Sequence, residues 1–354
     1  MSTRTRGGAL GERVTIQEVA QRAQVSAATV SRVLTGSHPT SAGARARVLR
    51  AVKDLDYVVN AHARALAGTG RKTVAVLIRD VTSPFFSQVA QGVEYEATTR
   101  GRLCMVCTTG GDNAREHEMV QMLREQRAET VVLVGGVVEN DEYRERMARY
   151  AQALAAVGSR LVLCGRPAPP PDVPALVVEY DNEAGAYGIT SHLLTAGHRR
   201  IVFLGQLPGN STSEDRISGY RRALLDFGLP PEAARVVGTG FNKRQGYASM
   251  NTLLESGELD FTAVFAGDDE VAAGAMKALR KHGLTVPDDI SLIGYNDDPV
   301  ADDLTPGLTT VHIPAEEMGR TALRLALRDD PGSGQERQLL GTHIVVRDSV
   351  GRPA

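Results

Sequence analysis

Cysteine is scarce: Cys104, Cys107 and Cys164 are the only three, an odd number too small for a disulfide framework. The stretch CMVC has the spacing of a redox or metal pair. However, RLCMVCTT reads as a strand, where residues three apart face opposite ways. No second pair or histidine cluster completes a zinc site, so buried structural cysteines are expected. Long apolar runs are also missing, and nothing approaches the roughly 18 residues of a membrane span. The opening MSTRTRGGALGER has basic residues but no apolar core of a secretory signal. A cytoplasmic chain with no membrane role is expected. There is no P-loop, no G-x-S-x-G elbow and no cluster of metal ligands. No catalytic residue, cofactor or metal is therefore assigned, and the acidic pair Asp268-Asp269 reads as a helix N-terminus.

What is present is a chain of 354 residues, 42% apolar and 23% charged, enough for about two domains or more. The net charge of −2 hides an asymmetry. Residues 1–72 carry twelve Lys and Arg against four acids, a segment charge of +8, which leaves −10 on the remainder. A basic end on an acidic body is the footprint of nucleic-acid binding.

Three short helices are predicted within that end. Thr15-Ile-Gln-Glu18 is a capping box and starts a helix to about Ala23, with Ile16, Val19 and Ala20 on one face. Gln24-Val25 turns the chain, Ser26 caps a second helix to about Leu34, and TGSHPT is a loop. Ser41 caps a third helix that turns Val48, Leu49, Val52 and Leu55 inward. Two short helices, a tight turn and a supporting helix make a helix-turn-helix. The second helix, within VSAATVSRVL, presents Ala27, Ala28, Thr29, Ser31 and Arg32. Side chains this short let a helix backbone approach base edges in a major groove. Ser26, Thr29 and Ser31 can bond phosphates or bases, and Arg32 can reach a phosphate or a guanine. NAHARALAGTG (60–70) follows, about two helical turns before a Gly-Thr-Gly break, a marginal helix on its own.

From residue 72 strands and helices alternate. TVAVLIRD, LCMVCTT, TVVLVGG, LVLCGRP and ALVVEYD read as strands of one series, with a Pro-rich loop at 166–174. RIVFLGQ, RVVGTG, AVFAGD and ISLIGYN form a second. The fold class expected is α/β: two doubly wound halves with ligand at the carboxyl ends of the strands, behind an all-α helix-turn-helix.

The chain resembles the LacI/GalR family of bacterial transcription regulators over nearly its full length. TIQEVAQRAQVSAATVSRVLTG resembles the family's DNA-binding signature and LDYVVNAHARALA its hinge. VTSPFFSQVAQGVE, VEYDNEAGAY, LLTAGHRRIVFLGQ, SEDRISGYRRAL, FAGDDEVAAGAM and VPDDISLIGYNDDPVADDLTPGLTTVHIPAEEMG continue the match in order. The resemblance implies a periplasmic-binding-protein-like core, with crossings between its lobes near 70–73, Tyr180 and Val311–Pro314. It implies a helix-turn-helix domain at 1–59 with 1–13 as a tail, and a hinge helix and linker at 60–70. The core would occupy 71–354: a first lobe at 71–179 and 312–335, and a second at 180–311 and 336–350.

DNA contacts are accordingly assigned to Thr15, Ser26, Ala27, Ala28, Thr29, Ser31 and Arg32, and in the hinge to Asn60, Ala63 and Leu66. Leu66 would wedge into a minor-groove base step. The resemblance implies effector contacts at Phe85, Phe86, Asp181, Arg216, Phe241 and Asn296. Asn296 stands where an acid is common in the family, and Asp268 where an asparagine is common. Val59 replaces the usual proline ahead of the hinge.

The partners expected are pseudo-palindromic double-stranded operator DNA and a small polar effector, a carbohydrate or derivative. A homodimer is also expected, because the chain ends without leucine heptads for a tetramer-forming tail. The competing classes are a transporter's solute-binding protein, an enzyme, and a regulator controlled by a partner protein. The helix-turn-helix argues against the first, and the missing catalytic motifs argue against the second. A ligand screen separates the third.

Overall fold

The computed structural model describes residues 14–35, 38–57, 72–257, 260–328 and 335–353. They divide between two compact units, Met1–Lys72 and Thr73–Ala354.

The smaller unit holds α1 (Ile16–Ala23), α2 (Ala27–Thr35) and α3 (Ala42–Asp54). The predicted capping box is present: Thr15 N–H donates to Glu18 Oε2 at 2.6 Å, and Glu18 N–H to Thr15 Oγ1 at 3.4 Å. Gln24, at φ 53°, ends α1 and turns the chain. Ser26 Oγ then accepts Thr29 N–H at 3.2 Å, and Ser41 Oγ accepts Ala44 N–H at 3.3 Å to start α3. Val19, Val30 and Val48 are completely buried between the helices, with Val52 and Leu55 packed against them. Leu49 is not inward as expected but 49% exposed. Val48, Val52 and Leu55 recur at the i, i+4, i+7 spacing of one face, and Leu49 lies one step round the helix.

The larger unit has two lobes. In the first, β1 (Thr73–Ile78), β2 (Leu103–Thr108), β3 (Thr130–Val134), β4 (Arg160–Cys164), β5 (Ala175–Tyr180) and β11 (Glu336–Leu340) form a parallel sheet in the order β11-β5-β4-β3-β1-β2. Val74, Val76 and Ile78 point to one face, where α4 (Pro84–Thr99) and α12 (Ala315–Ala326) pack. Ala75 and Leu77 point to the other, against α5 (Asn113–Glu125) and α6 (Asp141–Ala155). Burial on both faces explains the unbroken apolar runs of these strands.

The second lobe repeats the plan with β6 (Ile201–Gln206), β7 (Arg235–Thr239), β8 (Ala263–Ala266) and β9 (Ser291–Ile293), ordered β7-β6-β8-β9 and parallel. α7 (Asn182–Thr195) and α8 (Ser211–Asp226) cover one face, and α9 (Lys243–Glu255) and α10 (Asp269–Lys281) the other. The short α11 (Pro299–Asp303) follows β9. An antiparallel ribbon of β10 (Thr310–His312) and β12 (His343–Val345) lies where the chain passes between lobes.

Two elements depart from the sequence reading. β11 pairs with β5, so Glu336–Leu340 belongs to the first lobe, and the second-lobe return expected from 336 begins after Leu340. The outer side of β5 is an open row of backbone donors and acceptors, and β11 satisfies it. Helix α12 is not among the elements expected from the sequence. It crosses α4 closely enough that a Cβ on Gly92 would lie 2.0 Å from Glu316 O, and one on Gly319 2.1 Å from Val89 O.

Cys104 and Cys107 on edge strand β2 face opposite cores, as the spacing requires, but are only half-buried; Cys164 is fully buried. Burial pushes the Cys104 thiol up to about 11 and Cys164 to about 12, so neither is a thiolate at neutral pH. Among the described residues no group of three or more His, Cys, Asp or Glu could hold a metal ion, and no helix is long and apolar enough to cross a membrane.

Each sheet reverses its strand order at the strand that opens it, between β1 and β3 and between β6 and β8. In open α/β sheets the crevice for a ligand forms beyond the carboxyl ends of such strands.

Candidate functional site

On the helix-turn-helix, α2 turns Val30 and Val33 into the core and leaves Ala28, Ser31 and Arg32 exposed beside Ser26. Ala27 and Thr29 are half-buried. The Ser26 and Thr29 hydroxyls lie 2.9 Å apart, so both belong to the cap that starts the helix. Thr15 is exposed at the amino end of α1, its hydroxyl donating to Glu18 Oε2 at 2.9 Å. Hydrogen bonds from Thr15 hold the Glu18 carboxyl below its usual value. The hinge residues Asn60, Ala63 and Leu66 lie outside the described residues.

In the larger unit, both switch points open on one cleft. After β1 come Arg79, Asp80 and Ser83, then Phe85 and Phe86 in the first turn of α4; after β3 come Gly135 and Gly136. The second lobe contributes Leu207, Asn210, Thr212 and Arg216 after β6, Phe241 after β7, Asp268 after β8 and Asn296 after β9. Tyr180 closes the floor from β5. The lobes touch at its rim, where Ser211 N–H donates to Val137 O at 2.8 Å and Val137 N–H to Ser211 Oγ at 3.3 Å.

The aromatic wall is packed ring against ring. The Phe85 and Phe86 rings meet edge-on with centroids 5.5 Å apart, and Phe85 meets Tyr180 at 6.1 Å. Gly135, at φ +91°, makes room for Phe86, whose ring a Cβ there would reach at 2.4 Å. Phe241 lies against Gly267 in the same way.

Arg216, 2% exposed, ties the second lobe's cleft loops together. Its Nε donates to Asn182 Oδ1 at 3.0 Å, Nη1 to Gly267 O at 2.6 Å and Nη2 to Asn296 Oδ1 at 3.0 Å, with Tyr180 Oη at 3.5 Å. The guanidinium stacks 3.8 Å above the Tyr295 ring. One side chain therefore sets the positions of segments following β5, β8 and β9.

Three carboxyls of the same lobe, Asp268, Asp269 and Asp298, are buried. Asp268 caps α10 by accepting Val271 N–H at 2.8 Å, and burial pushes its carboxyl up to about 6. Asp298 is pushed up to about 7 by burial and then by the charge of Asp268. Asp269 accepts from Thr310 Oγ1 at 2.6 Å and Asp298 N–H at 2.7 Å, yet burial still holds its carboxyl well above the usual range. On the facing lobe, burial of Asp80 would raise its carboxyl, but hydrogen bonds from Thr82 and Ser83 outweigh that and hold it low.

Phe85, Phe86, Arg216, Phe241 and Asn296 are thus brought into one cleft. Asp181 is not: it is exposed and accepts Ala184 N–H at 2.8 Å as the cap of α7. Its neighbours on either side face inward instead, Tyr180 lining the cleft and Asn182 holding Arg216. Sequence reasoning missed Arg79, Asp80, Asn210 and Thr212. Their shared signal is position: each follows the carboxyl end of a strand next to a switch point.

A family model for bacterial regulatory proteins of the lacI family matches residues 15–60, and one for a periplasmic binding protein-like domain matches 190–350. The HTH-type transcriptional regulator CelR of Thermobifida fusca is 34% identical, over 95% of this chain and 98% of that protein. A solved CelR–cellobiose complex superposes with a TM-score of 0.68 at 31% identity, over 95% of this chain and 100% of the other. The lac repressor dimer bound to operator and the anti-inducer ONPF superposes at 0.78 with 25% identity, over 96% and 100%. With the helix-turn-helix and the two-lobed core both matched, the chain belongs to the LacI family of bacterial transcription regulators.

Proposed function

We propose that this regulator is a cytoplasmic homodimer that represses transcription from a pseudo-palindromic operator. Its operator affinity is set by a small polar effector, a carbohydrate or derivative, bound between the lobes. The observation that carries the reading is the make-up of the cleft. Phe85, Phe86 and Phe241 offer flat apolar faces from both lobes, while Arg216, Asn296, Asp268 and Asn210 converge on the same space. That is the pattern of a site that packs a ring and orients its hydroxyls. The effector contacts in this reading are Phe85, Phe86, Arg216, Phe241, Asn296 and Asp268. The DNA contacts are Thr15, Ser26, Ala27, Ala28, Thr29, Ser31 and Arg32, with Asn60, Ala63 and Leu66 in the hinge. Nothing in the cleft is asked to perform chemistry, and the protein acts by binding alone.

Because both lobes grip the ligand, binding favours one lobe arrangement over another, and a dimer passes that preference to its hinges. A coupling of about 1–3 kcal/mol corresponds to a roughly 5–150-fold change in operator affinity. Calorimetric titration of neutral mono- and disaccharides into the full chain, with operator gel shifts in parallel, tests this. One sugar class is expected to bind and to shift operator affinity within that range. Specific operator binding that no small polar ligand alters would overturn the effector assignment.

A further inference from the structure

Two arginines of the first lobe are buried with too little carboxylate to match them. Arg146 on α6 and Arg166 after β4 are 7% and 6% exposed, and Glu116 on α5, 4% exposed, stands between them. Glu116 Oε2 is 2.9 Å from Arg166 Nη1 in an ion pair that lacks hydrogen-bond alignment. Glu116 Oε1 is 3.7 Å from Arg146 Nε, beyond hydrogen-bond reach. Other donors are engaged: Arg146 Nη2 with Asn113 Oδ1 at 3.2 Å, and Arg166 Nη2 with Val134 O at 3.4 Å. The Nε of each arginine, and Glu116 Oε1, have no hydrogen-bond partner among the described residues. Glu142 lies 3.7 Å from Arg146 Nη1 but is mostly exposed, so water screens it. One buried carboxylate against two buried guanidiniums leaves a positive charge where charge is costly.

These groups line a cavity of about 160 Å³, far above the roughly 10–15 Å³ that one water needs. The cavity shares Arg79, Phe86, Gly136 and Asn210 with the effector cleft and so opens beside it. Arg79 adds a third guanidinium to the wall, and the amino ends of α5 and α6 reach it through Asn113 and Asn140. Asp112 also lines the cavity, but its carboxylate accepts Ala114 and Arg115 N–H groups at the cap of α5.

We infer that this cavity is a phosphate subsite, which takes either free phosphate or a phosphoryl group carried by the effector in the adjoining cleft. Unpartnered guanidinium N–H groups match phosphate oxygens in geometry and charge. Glu116 Oε1, an acceptor, matches the P–OH of a singly protonated phosphate. Only the second source rests on the effector reading proposed above.

The test is calorimetry on the full chain at constant ionic strength, with inorganic phosphate in one arm. In the other arm, each sugar that binds the cleft is compared with its phosphate ester. The variants are Arg146→Gln, which spares the Glu116–Arg166 pair, and Arg79→Gln at the wall. Arg79→Gln serves if the buried change unfolds the lobe, which a thermal melt detects. Saturable phosphate binding that Arg146→Gln weakens tenfold or more establishes a free-ion site. A sugar phosphate at least tenfold tighter than its parent sugar, with the advantage lost in the variants, establishes the effector-borne source. If no neutral sugar binds, the carbohydrate reading fails while the phosphate arm still decides this one. The subsite is overturned if phosphate does not saturate and no ester outbinds its sugar, or if binding persists undiminished in both variants.

Discussion

At the scale of single residues, Arg216 and Asp268 carry the sharpest consequences. Truncating Arg216 to alanine removes bonds to Asn182, Gly267 and Asn296 together and leaves their acceptors in a buried pocket. Arg216→Ala should therefore abolish the effector response and also destabilise the core by on the order of 3 kcal/mol. Operator binding without effector should persist, since the helix-turn-helix is unchanged. Calorimetry and thermal melts read the first two effects and gel shifts the third; unchanged effector affinity would remove Arg216 from the site. For Asp268 the sign is set by a carboxyl raised from 3.8 to about 6, chiefly by burial. Its contribution favours the fold fully below 3.8 and is lost as pH rises through about 6, where the folded state must hold a buried charge. Asparagine caps a helix as well as aspartate does. Asp268→Asn should accordingly raise the melting temperature at pH 7.5, with the gain shrinking through pH 6 and gone below pH 3.8. A gain independent of pH would show that ionisation is not the cause.

At the scale of elements, what was legible from sequence follows from how local each cause is. The Thr15–Glu18 box, the Ser26 cap and the apolar run of β1 depend on neighbours within a turn or a strand. They read directly. α12 and β11 do not, because their places are decided by Gly92 facing Gly319 and by the open edge of β5, partners far away in sequence. The cleft divides the same way. Phe85, Phe86, Phe241 and Asn296 came through a family resemblance, and Arg216 came with them but without its three structural bonds. Asp181 looked like a ligand because nothing in the sequence distinguishes a capping carboxylate from a cleft one. The Glu116–Arg146–Arg166 cluster gave no signal at all, since charged residues on helices, as Glu116 and Arg146 are, or in the loop after a strand, as Arg166 is, ordinarily face water. The hinge at 60–70 is the element whose role rests wholly on resemblance, and it yields its own prediction. Leu66→Ala should weaken operator binding about tenfold or more and leave random-DNA binding nearly unchanged. A wedge acts only where DNA is kinked, whereas non-specific affinity is electrostatic. Paired gel shifts decide it, and equal losses on both DNAs would make Leu66 a packing residue.

At the scale of the whole molecule, the question is what joins two copies. Among the described residues β2 is the outer strand of the first sheet, and a strand edge without a partner strand invites pairing. Leu103 and Val106 on it are 50% and 48% exposed, with Tyr95 of α4 and Met122 of α5 exposed on the flanking helices. A monomer would keep such apolar surface from water, so this edge is the expected seam of the homodimer. The cleft, by contrast, is built within one chain, from loops of its own two lobes. Dimerisation and effector binding should therefore separate under mutation. Val106→Glu places a charge on the seam and should turn the dimer into a monomer in sedimentation runs, with sugar affinity unchanged within about twofold. Operator affinity should fall by two orders of magnitude or more, because a pseudo-palindrome is gripped at two half-sites about one helical turn apart and a monomer holds one. What remains should be the salt-sensitive attraction of the +8 segment for phosphates, falling steeply as salt rises. If Val106→Glu stays dimeric, the seam lies elsewhere. If it is monomeric yet footprints the full operator at the original affinity, the two-fold reading of the operator is wrong.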